Sequence, residues 1–429
     1  MDKIDAIVVG GGLAGLSAAY RLAGAGKQVI LLERGDAPGS KNVTGGRIYM
    51  SPVRKYLPEI VDSAPFERRV VKELITVLDE SSGLQFEYGN EKWKKEPYMS
   101  HTVLRAKFDS WFADQAAAKG AFIIPKKKVD DLLWEDGHVA GIRSGSEEIG
   151  AHVVIAADGA LSFLAQKAGL RQPHKPENFA VAMKEIYQLD EKTIEERFGL
   201  GPDEGAAGLF MGSITRGMFG GGFLYTNRDT LSLGLVVGID ALSRRKGATT
   251  APDLMEEFTK RPEVQRWIRG GELKEYSAHL ISEAGIGTVP KLYTGGMLVS
   301  GDAAGFALNL GLTVRGMEFA IASGVMAADT AIEALEQNDL SEGSLSRYEK
   351  KLRESFVLQD METFRHSKEV LDRQRFFTVY PRFMCELFDE LFTIGDGPKE
   401  SLYKTAKRVA KKHVLNMETV RDLMAARKV

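Results

Sequence analysis

The stretch Asp5-Ala-Ile-Val-Val-Gly10-Gly11-Gly12-Leu13-Ala14-Gly15 decides the fold. An apolar run leading into a glycine cluster reads as a buried parallel strand, and Leu13 to Ala23, rich in small residues, reads as the helix after it. Gln28-Val-Ile-Leu-Leu32 supplies a second strand that ends in Glu33, which completes a strand, helix, strand unit. The glycines satisfy G-x-G-x-x-G between strand and helix, the context that gives this pattern its meaning. Gly10 permits the tight turn, Gly12 lets a pyrophosphate reach the backbone, and Gly15 lets helix and strand pack closely. The helix N-terminus then faces the phosphates. Glu33 lies 23 residues beyond Gly10, where a carboxylate can accept hydrogen bonds from both ribose hydroxyls. The fingerprint alone does not separate NAD from FAD.

Outward from this unit, 429 residues predict two or three units around a large core. The 57 Lys and Arg against 59 Asp and Glu leave a net charge of −2, which excludes a generally basic nucleic-acid binder. Hydrophobic residues at 44% exclude a disordered chain. Glycine takes 45 positions, above the usual share of about 7%, and points to close approaches between backbone and ligand. Cys385 is the single cysteine, so this chain alone holds neither an internal disulfide nor a cysteine-ligated iron–sulfur cluster. The N-terminus lacks the pattern of a signal peptide and no apolar stretch reaches the ~20 residues of a membrane span, so a cytoplasmic protein is expected, with peripheral membrane contact open.

Leu104 to Ala118 carries apolar residues at helical spacing and Gly120 to Ile124 returns to strand character, a further step of the first unit. Val129 to Leu133, Val139 to Arg143 and His152 to Ala156 read as a small meander that leads back into the main sheet. From about 171 to 290 prolines, the cluster Gly220-Gly-Gly222 and alternating segments such as Leu231 to Leu235 mark an inserted mixed region. Gly296 to Ser300 resumes the first sheet and feeds a helix expected from about Thr313 to Glu336. The chain after Leu340 is helical.

Three more signals choose FAD. Arg105 opens the helix after residue 104, where a guanidinium can reach a pyrophosphate. Val154-Ile-Ala-Ala157-Asp158-Gly159 ends a strand in a turn that brings backbone toward the dinucleotide. Gly301-Asp302-Ala-Ala-Gly305 follows a strand, so Asp302 can accept a hydrogen bond from a ribityl hydroxyl.

With these motifs in place, the chain resembles the FAD oxidoreductases of the glutathione-reductase-like class. Within that class it is most similar to the electron-transfer-flavoprotein:quinone oxidoreductases of the FixC type. The likeness rests on Gly39-Ser-Lys-Asn42-Val-Thr-Gly45-Gly46-Arg-Ile-Tyr49, Gly220 to Asn227, Tyr276-Ser-Ala-His279 and Asn309-Leu-Gly311-Leu-Thr313-Val-Arg-Gly-Met317. The fold it implies is α/β: a glutathione-reductase-type, Rossmann-like FAD-binding domain over 1–170 and 291–340. A mixed α/β quinone or substrate domain is inserted at 171–290, and a C-terminal helical region for partner docking covers 341–429. The FAD site it implies adds Leu13, Ala14, Arg34, Asn42, Gly45, Gly46, Val129, Ala157 and Gly301 to the residues above. It also places Gly311 and Thr313 at a helix opening beside the flavin ring, where a positive helix end stabilises charge on the reduced ring. Arg315 either adds a cation there or makes an ion pair.

The resemblance further implies electrons received from a two-subunit electron-transfer flavoprotein and passed toward quinone. A separate ferredoxin-like subunit of the FixX type would carry the iron–sulfur cluster that Cys385 alone cannot. Polyprenyl reduction, aromatic hydroxylation and a non-catalytic flavin scaffold remain alternatives. No nucleophile, acid–base set or metal site stands out, and His101, His138, His152, His174, His279, His366 and His413 form no i, i+4 metal pair. Two surfaces invite partners. Leu209-Phe-Met-Gly212 with Met218-Phe219 is either an apolar lip for a quinone tail or core. The basic helix around Lys404 to Lys412 is either a dock for an acidic ferredoxin or anionic lipid, or a solvated face. Tyr380 to Phe392 carries an apolar stripe assigned to core or subunit interface.

Overall fold

A computed structural model describes residues 2–41, 46–245, 249–283 and 285–429. Among these residues the carboxyl ends of a first sheet and one face of a second border a common cleft; of the C-terminal helices, those from Leu345 to Met361 join the core of the first sheet and Val379–Phe392 packs on the second. The first sheet runs in the order Tyr293–Thr294, Met297–Val299, Glu147–Ala156, Lys3–Val9, Val29–Leu32 and Phe122–Ile124. Its central members are parallel, and Ala6, Ile7 and Val8 are fully buried, as expected for strands covered on both faces. The strands Asp131–Glu135, His138–Ser144 and Glu147–Ala156 form the expected meander.

Val9 stands level with Leu32 on one side and Ala156 on the other, so three strands end together. Gly10 N–H donates to the Leu32 carbonyl at 2.8 Å and Ala157 N–H to the Val9 carbonyl at 2.8 Å, which locks the turns that follow. In open α/β sheets ligands bind outside such carboxyl ends. The Leu13–Gly24 helix begins there and packs along the Met317–Glu336 helix. The contact is backbone on backbone: a Cβ on Gly324 would lie 2.2 Å from the Ala14 carbonyl oxygen.

The second sheet runs Glu272–Ser282, Phe179–Gln188, Thr230–Gly238, Gly220–Thr226, Glu204–Gly212, Arg69–Leu78, Ser100–Val103 and Gly46–Tyr49, with Gly83–Gly89 paired to Arg69–Leu78. The stretch 46–103 therefore contributes to this sheet together with the segment 179–282. Glu204–Gly212 pairs in parallel with Arg69–Leu78, whereas its other neighbour is antiparallel. One face carries Leu74, Leu78, Leu231, Leu233 and Leu235 into a core closed by Phe258 and Trp267 from the helices Ala251–Thr259 and Pro262–Ile268. The period of two then turns Ile75, Leu209, Met211, Phe223, Tyr225 and Val236 toward the cleft.

One expected element starts later than its sequence suggests. The helix read from Thr313 begins at Met317, because Leu308–Asn309 and Val314–Arg315 pair as a short antiparallel ladder around Gly311, whose φ is +78°. Leu310 N–H donates to the Thr313 carbonyl at 2.9 Å and closes the turn. No helix among the described residues is long and apolar enough to cross a membrane.

The glycine contact between the two long helices gives the first prediction. Gly324→Ala should lower the stability of the flavin-free chain by ~1–3 kcal/mol, as overpacking against backbone does, outweighing the helix propensity gained. Gly24→Ala, where an added Cβ meets nothing within 4 Å, serves as the control. Equal melting temperatures for the two variants would contradict the packing described.

Candidate functional site

The cleft between the sheets is a cavity of about 710 Å³, within the ~300–1,000 Å³ typical of ligand sites. Its two ends differ in chemistry. The first is backbone and charge. Gly10, with φ +109°, has no room for a side chain, since a Cβ would sit 2.2 Å from the Ala157 carbonyl oxygen. Gly15 is closed off by Gly10, at 1.9 Å from carbonyl oxygen to a Cβ. At Gly12, by contrast, a Cβ would meet nothing within 4 Å and would project into the cavity that Gly12 lines. Gly12 is also the N-cap of the Leu13–Gly24 helix and makes no side-chain cap, so the amides of its first turn are left to a ligand.

Glu33 holds the turn on the other side, accepting from the backbone N–H of Gly11 at 2.7 Å and of Gly35. A carboxylate has about four acceptor sites, so both bonds leave capacity for hydroxyl donors. Arg105 opens the Arg105–Ala118 helix and is clamped by Asp109 through two 2.8 Å hydrogen bonds, Nε to Oδ1 and Nη2 to Oδ2. Burial works against the guanidinium charge, but the fully buried Asp109 carboxylate holds its pKa above the ordinary value. A fixed cation therefore faces the cavity.

Two more carboxyls face the same end. Asp158 accepts from Leu164 N–H through Oδ2 at 3.0 Å, while Oδ1 is buried with no partner in the protein, as suits an atom waiting for a ligand donor. Burial raises its pKa. Asp302 sits in the turn Gly301–Ala304, and the cavity walls raise its pKa against the opposing pull of Arg105 and His279. Burial lowers the pKa of His279, which keeps its imidazole neutral despite Asp302.

The second end is aromatic and aliphatic. Leu209, Met211, Phe223 and Tyr225 from the sheet face Leu310 and Leu312 from the short ladder, and Leu371 and Phe377 from the C-terminal region close it. Burial pushes the Tyr225 phenol up to about 12, so it remains a hydrogen-bond donor at neutral pH.

Of the residues singled out from sequence, Gly10, Gly12, Leu13, Ala14, Glu33, Arg34, Gly46, Arg105, Val129, Ala157, Asp158, Gly159, Asp302 and Gly311 line this one cavity. Gly15, Gly301 and Thr313 do not. Gly15 and Gly301 lie behind the wall, where a Cβ on Gly301 would press on Ala14 at 2.6 Å, and Thr313 stands at the far side of the Gly311 turn. Asn42 and Gly45 lie outside the described residues. The helix opening expected at Thr313 is instead Gly316–Met317, and both of these residues border the cavity. Arg315 is bonded to Glu318 and Asp360 at 2.6 Å each and also borders the cavity, so both of its readings remain in place. The proposed lip divides: Leu209, Met211 and Phe219 border the cavity, Met218 is core, and Phe210 belongs to the core while also reaching the cavity.

Sequence reading missed Tyr225, Glu283 and the C-terminal lining. The alternation Phe223-Leu-Tyr225 carried a signal for the first, while nothing local marks Leu371 or Phe377 as neighbours of residue 310. On the surface, Arg408 of the basic helix Leu402–His413 is spent on Glu390 and Glu400, and Lys412 on Glu386.

Comparison with known proteins gives concordant likenesses. Residues 5–92 match the family model described as FAD dependent oxidoreductase, and residues 368–429 match the ETF-QO/FixC family C-terminal domain. A relative from Escherichia coli (strain K12) called probable electron transfer flavoprotein-quinone oxidoreductase YdiS is 43% identical over 96% of this chain and 95% of its own. Protein FixC of the same strain is 44% identical over the same shares, and Protein FixC of Azotobacter vinelandii 36% over 95% of this chain and 94% of its own. Among solved structures, a geranylgeranyl bacteriochlorophyll reductase-like protein from Thermoplasma acidophilum superposes with a TM-score of 0.73 at 22% identity, covering 99% of this chain and 100% of its own. The myxobacterial halogenase CndH, a variant of FAD-dependent halogenases, gives 0.67 at 17%, covering 100% and 98%. At those identities the structures share a fold with this chain.

Gly10 and Gly12 separate folding from binding. Gly12→Val should abolish flavin retention while lowering the melting temperature of the flavin-free chain only slightly, through its N-cap position. Gly10→Ala, strained at φ +109° and pressed on Ala157, should lower stability as well. A Gly12→Val protein purified with a full complement of flavin would contradict the assignment of this end of the cavity.

Proposed function

The chain belongs to the family of FixC proteins and electron-transfer-flavoprotein:quinone oxidoreductases, and from that premise we propose that it takes electrons from a two-subunit electron-transfer flavoprotein and passes them toward a quinone. It is a FAD-dependent oxidoreductase. The observation that carries the proposal is identity above 40% with such proteins along nearly the whole chain, over a cavity with one phosphate-ready end and one apolar end.

Bound FAD supplies a redox centre that accepts and returns electrons. The chain supplies the rest. Gly12, Leu13 and Ala14 offer bare amides to the pyrophosphate, and Arg105, fixed by Asp109, balances its charge. Glu33 orients the ribose beside Arg34, with Val129 lining that end. Asp302 accepts from the ribityl chain, and Asp158 with Ala157 and Gly159 closes the second side. Gly46, Gly311 and the helix start at Gly316–Met317 border the ring, where the positive helix end favours negative charge by ~0.3–1 kcal/mol or more when partly buried. The apolar end excludes water and receives the quinone.

The resemblance to FixC-type proteins carries into the proposal a separate ferredoxin-like, FixX-type subunit, with which the single buried Cys385 is consistent. It places the FAD domain within 1–170 and 291–340, with the strands of 46–103 given over to the sheet of the quinone domain at 171–290, and partner docking within 341–429, beyond the helices that complete the first core. It also places the chain in the cytoplasm, in peripheral contact with the membrane. Leu415, Met417, Leu423 and Met424, all more than half exposed in the last helix and the turn before it, support a partner or lipid surface there.

Mixing the flavin-loaded chain with reduced electron-transfer flavoprotein should bleach its flavin absorbance. Adding a quinone analogue and the iron–sulfur subunit should restore it. A flavin that stays oxidised, or one reoxidised rapidly by oxygen with hydroxylation of a product, would contradict the proposal.

A further inference from the structure

Glu283 follows the Glu272–Ser282 strand and lies where the apolar end of the cavity meets a second, smaller void. Its Oε2 accepts from Asn309 Nδ2 at 3.1 Å. The other end of that amide, Oδ1, accepts from Gly311 N–H at 2.8 Å, so the short ladder that borders the cavity also aims the donor at Glu283. The backbone is fixed as well, with Glu283 N–H donating to the Asn178 carbonyl at 2.9 Å.

The small void measures about 10 Å³, close to the space of one water molecule, and is bordered by Phe219, Asn309, Ser367, Lys368 and Leu371. Lys368 lies beyond it, paired with Asp372 at 2.6 Å, and that pair reaches the surface with side chains 25% and 47% exposed. Lys368 and Asp372 are the charged groups that act on Glu283, while Phe219 and Leu371 bring none. Polar groups thus run from solvent through Lys368 and Asp372, past room for a water, to a carboxyl that opens on the apolar cavity.

We propose that Glu283 carries a proton from solvent to the quinone held in this cavity. The inference rests on the quinone reading above. Conversion of quinone to quinol takes up two electrons and two protons. Reduced FAD, when bound, would supply two electrons and one proton, and the second proton would leave the Glu283 carboxyl as a quinone oxygen becomes a hydroxyl. The Glu283 O–H bond breaks, the quinol O–H bond forms, and the carboxylate regains a proton from solvent through the void. Burial pushes the Glu283 carboxyl up to about 7, with Asn309 and Lys368 opposing and Asp372 adding to the rise, so near neutrality it can both hold and release a proton.

The test compares two acceptors of the reduced, flavin-loaded chain: a quinone analogue, which takes up protons, and ferricenium, which does not. The wild-type quinone rate should fall as pH rises through about 7, because the protonated donor is lost. Glu283→Gln should cut that rate by ~10²-fold or more and erase the pH step, with a much smaller effect on ferricenium. Glu283→Asp should restore part of the step. An infrared titration should show a carboxyl signal disappearing near pH 7 in the wild type and missing in Glu283→Gln. A Gln variant with the wild-type quinone rate and pH profile, or a wild type without that carboxyl signal, would overturn the relay. Wild-type chain that reduces no quinone while keeping the signal would overturn the acceptor instead, so the two failures are distinguishable.

Discussion

Three backbone segments meet at Gly10 more closely than any side chain would allow, and the rest of the molecule is arranged around that approach. The Gly10 carbonyl lies over Gly15 while the Ala157 carbonyl lies over Gly10, with virtual Cβ contacts of 1.9 and 2.2 Å. Because these positions carry no Cβ, the Leu13–Gly24 helix starts at the very end of its strand, and its first amides stand bare above the carboxyl edge of the sheet. The same economy of side chains continues behind the helix, where Gly324 rests on the Ala14 carbonyl and Ser323 Oγ accepts from Gly301 N–H at 3.1 Å. A positive helix end and a narrow gap are thus consequences of one packing constraint, while Asp109 separately fixes the cation at Arg105.

The second sheet converts this nucleotide-binding edge into a redox cavity. Its alternation gives one face to a hydrophobic core of its own and the other to the cleft, so the same strands anchor the layer and wall the site. Two of the cavity's cations are held by carboxylates: Arg105 by Asp109, and Arg315 by Glu318 and Asp360. Such pairs are weak sources of stability but hold direction well, since breaking one leaves a buried charge unmatched. Asp158 Oδ1 and the Glu283 carboxyl depart from this pattern in different ways. The first lacks a protein partner, and the second is held by a neutral amide, so both are poised toward a ligand or a proton.

The glycine-rich unit was legible because its information is local. Strand, glycine spacing, helix and Glu33 fall within one run of residues, and the observed bounds Lys3–Val9, Leu13–Gly24 and Val29–Leu32 follow the reading closely. The meander and the helix after residue 104 were legible for the same reason. The second sheet was less so, since Glu204–Gly212 pairs in parallel with Arg69–Leu78 across more than 100 residues, and no local pattern sets such a register. Around residue 313 the helical spacing of the later residues masked a turn: Asn309 and Gly311 bond to each other and send Val314–Arg315 back along Leu308–Asn309. Glu283 escaped notice because a single carboxylate in a sequence says nothing of burial. Only the void beside Lys368 and the amide of Asn309 give it meaning.

The central claim is that an intact, non-covalently held FAD lies along this chain from the Gly12 amides to the apolar end of the cleft. The direct measurement is to saturate the folded, flavin-free chain with FAD, remove the excess, denature the protein and assay the released chromophore. One equivalent of FAD per chain, freed without cleavage of the polypeptide, is the expected result. A correctly folded chain that stays colourless, or whose flavin remains attached after denaturation, would contradict the account.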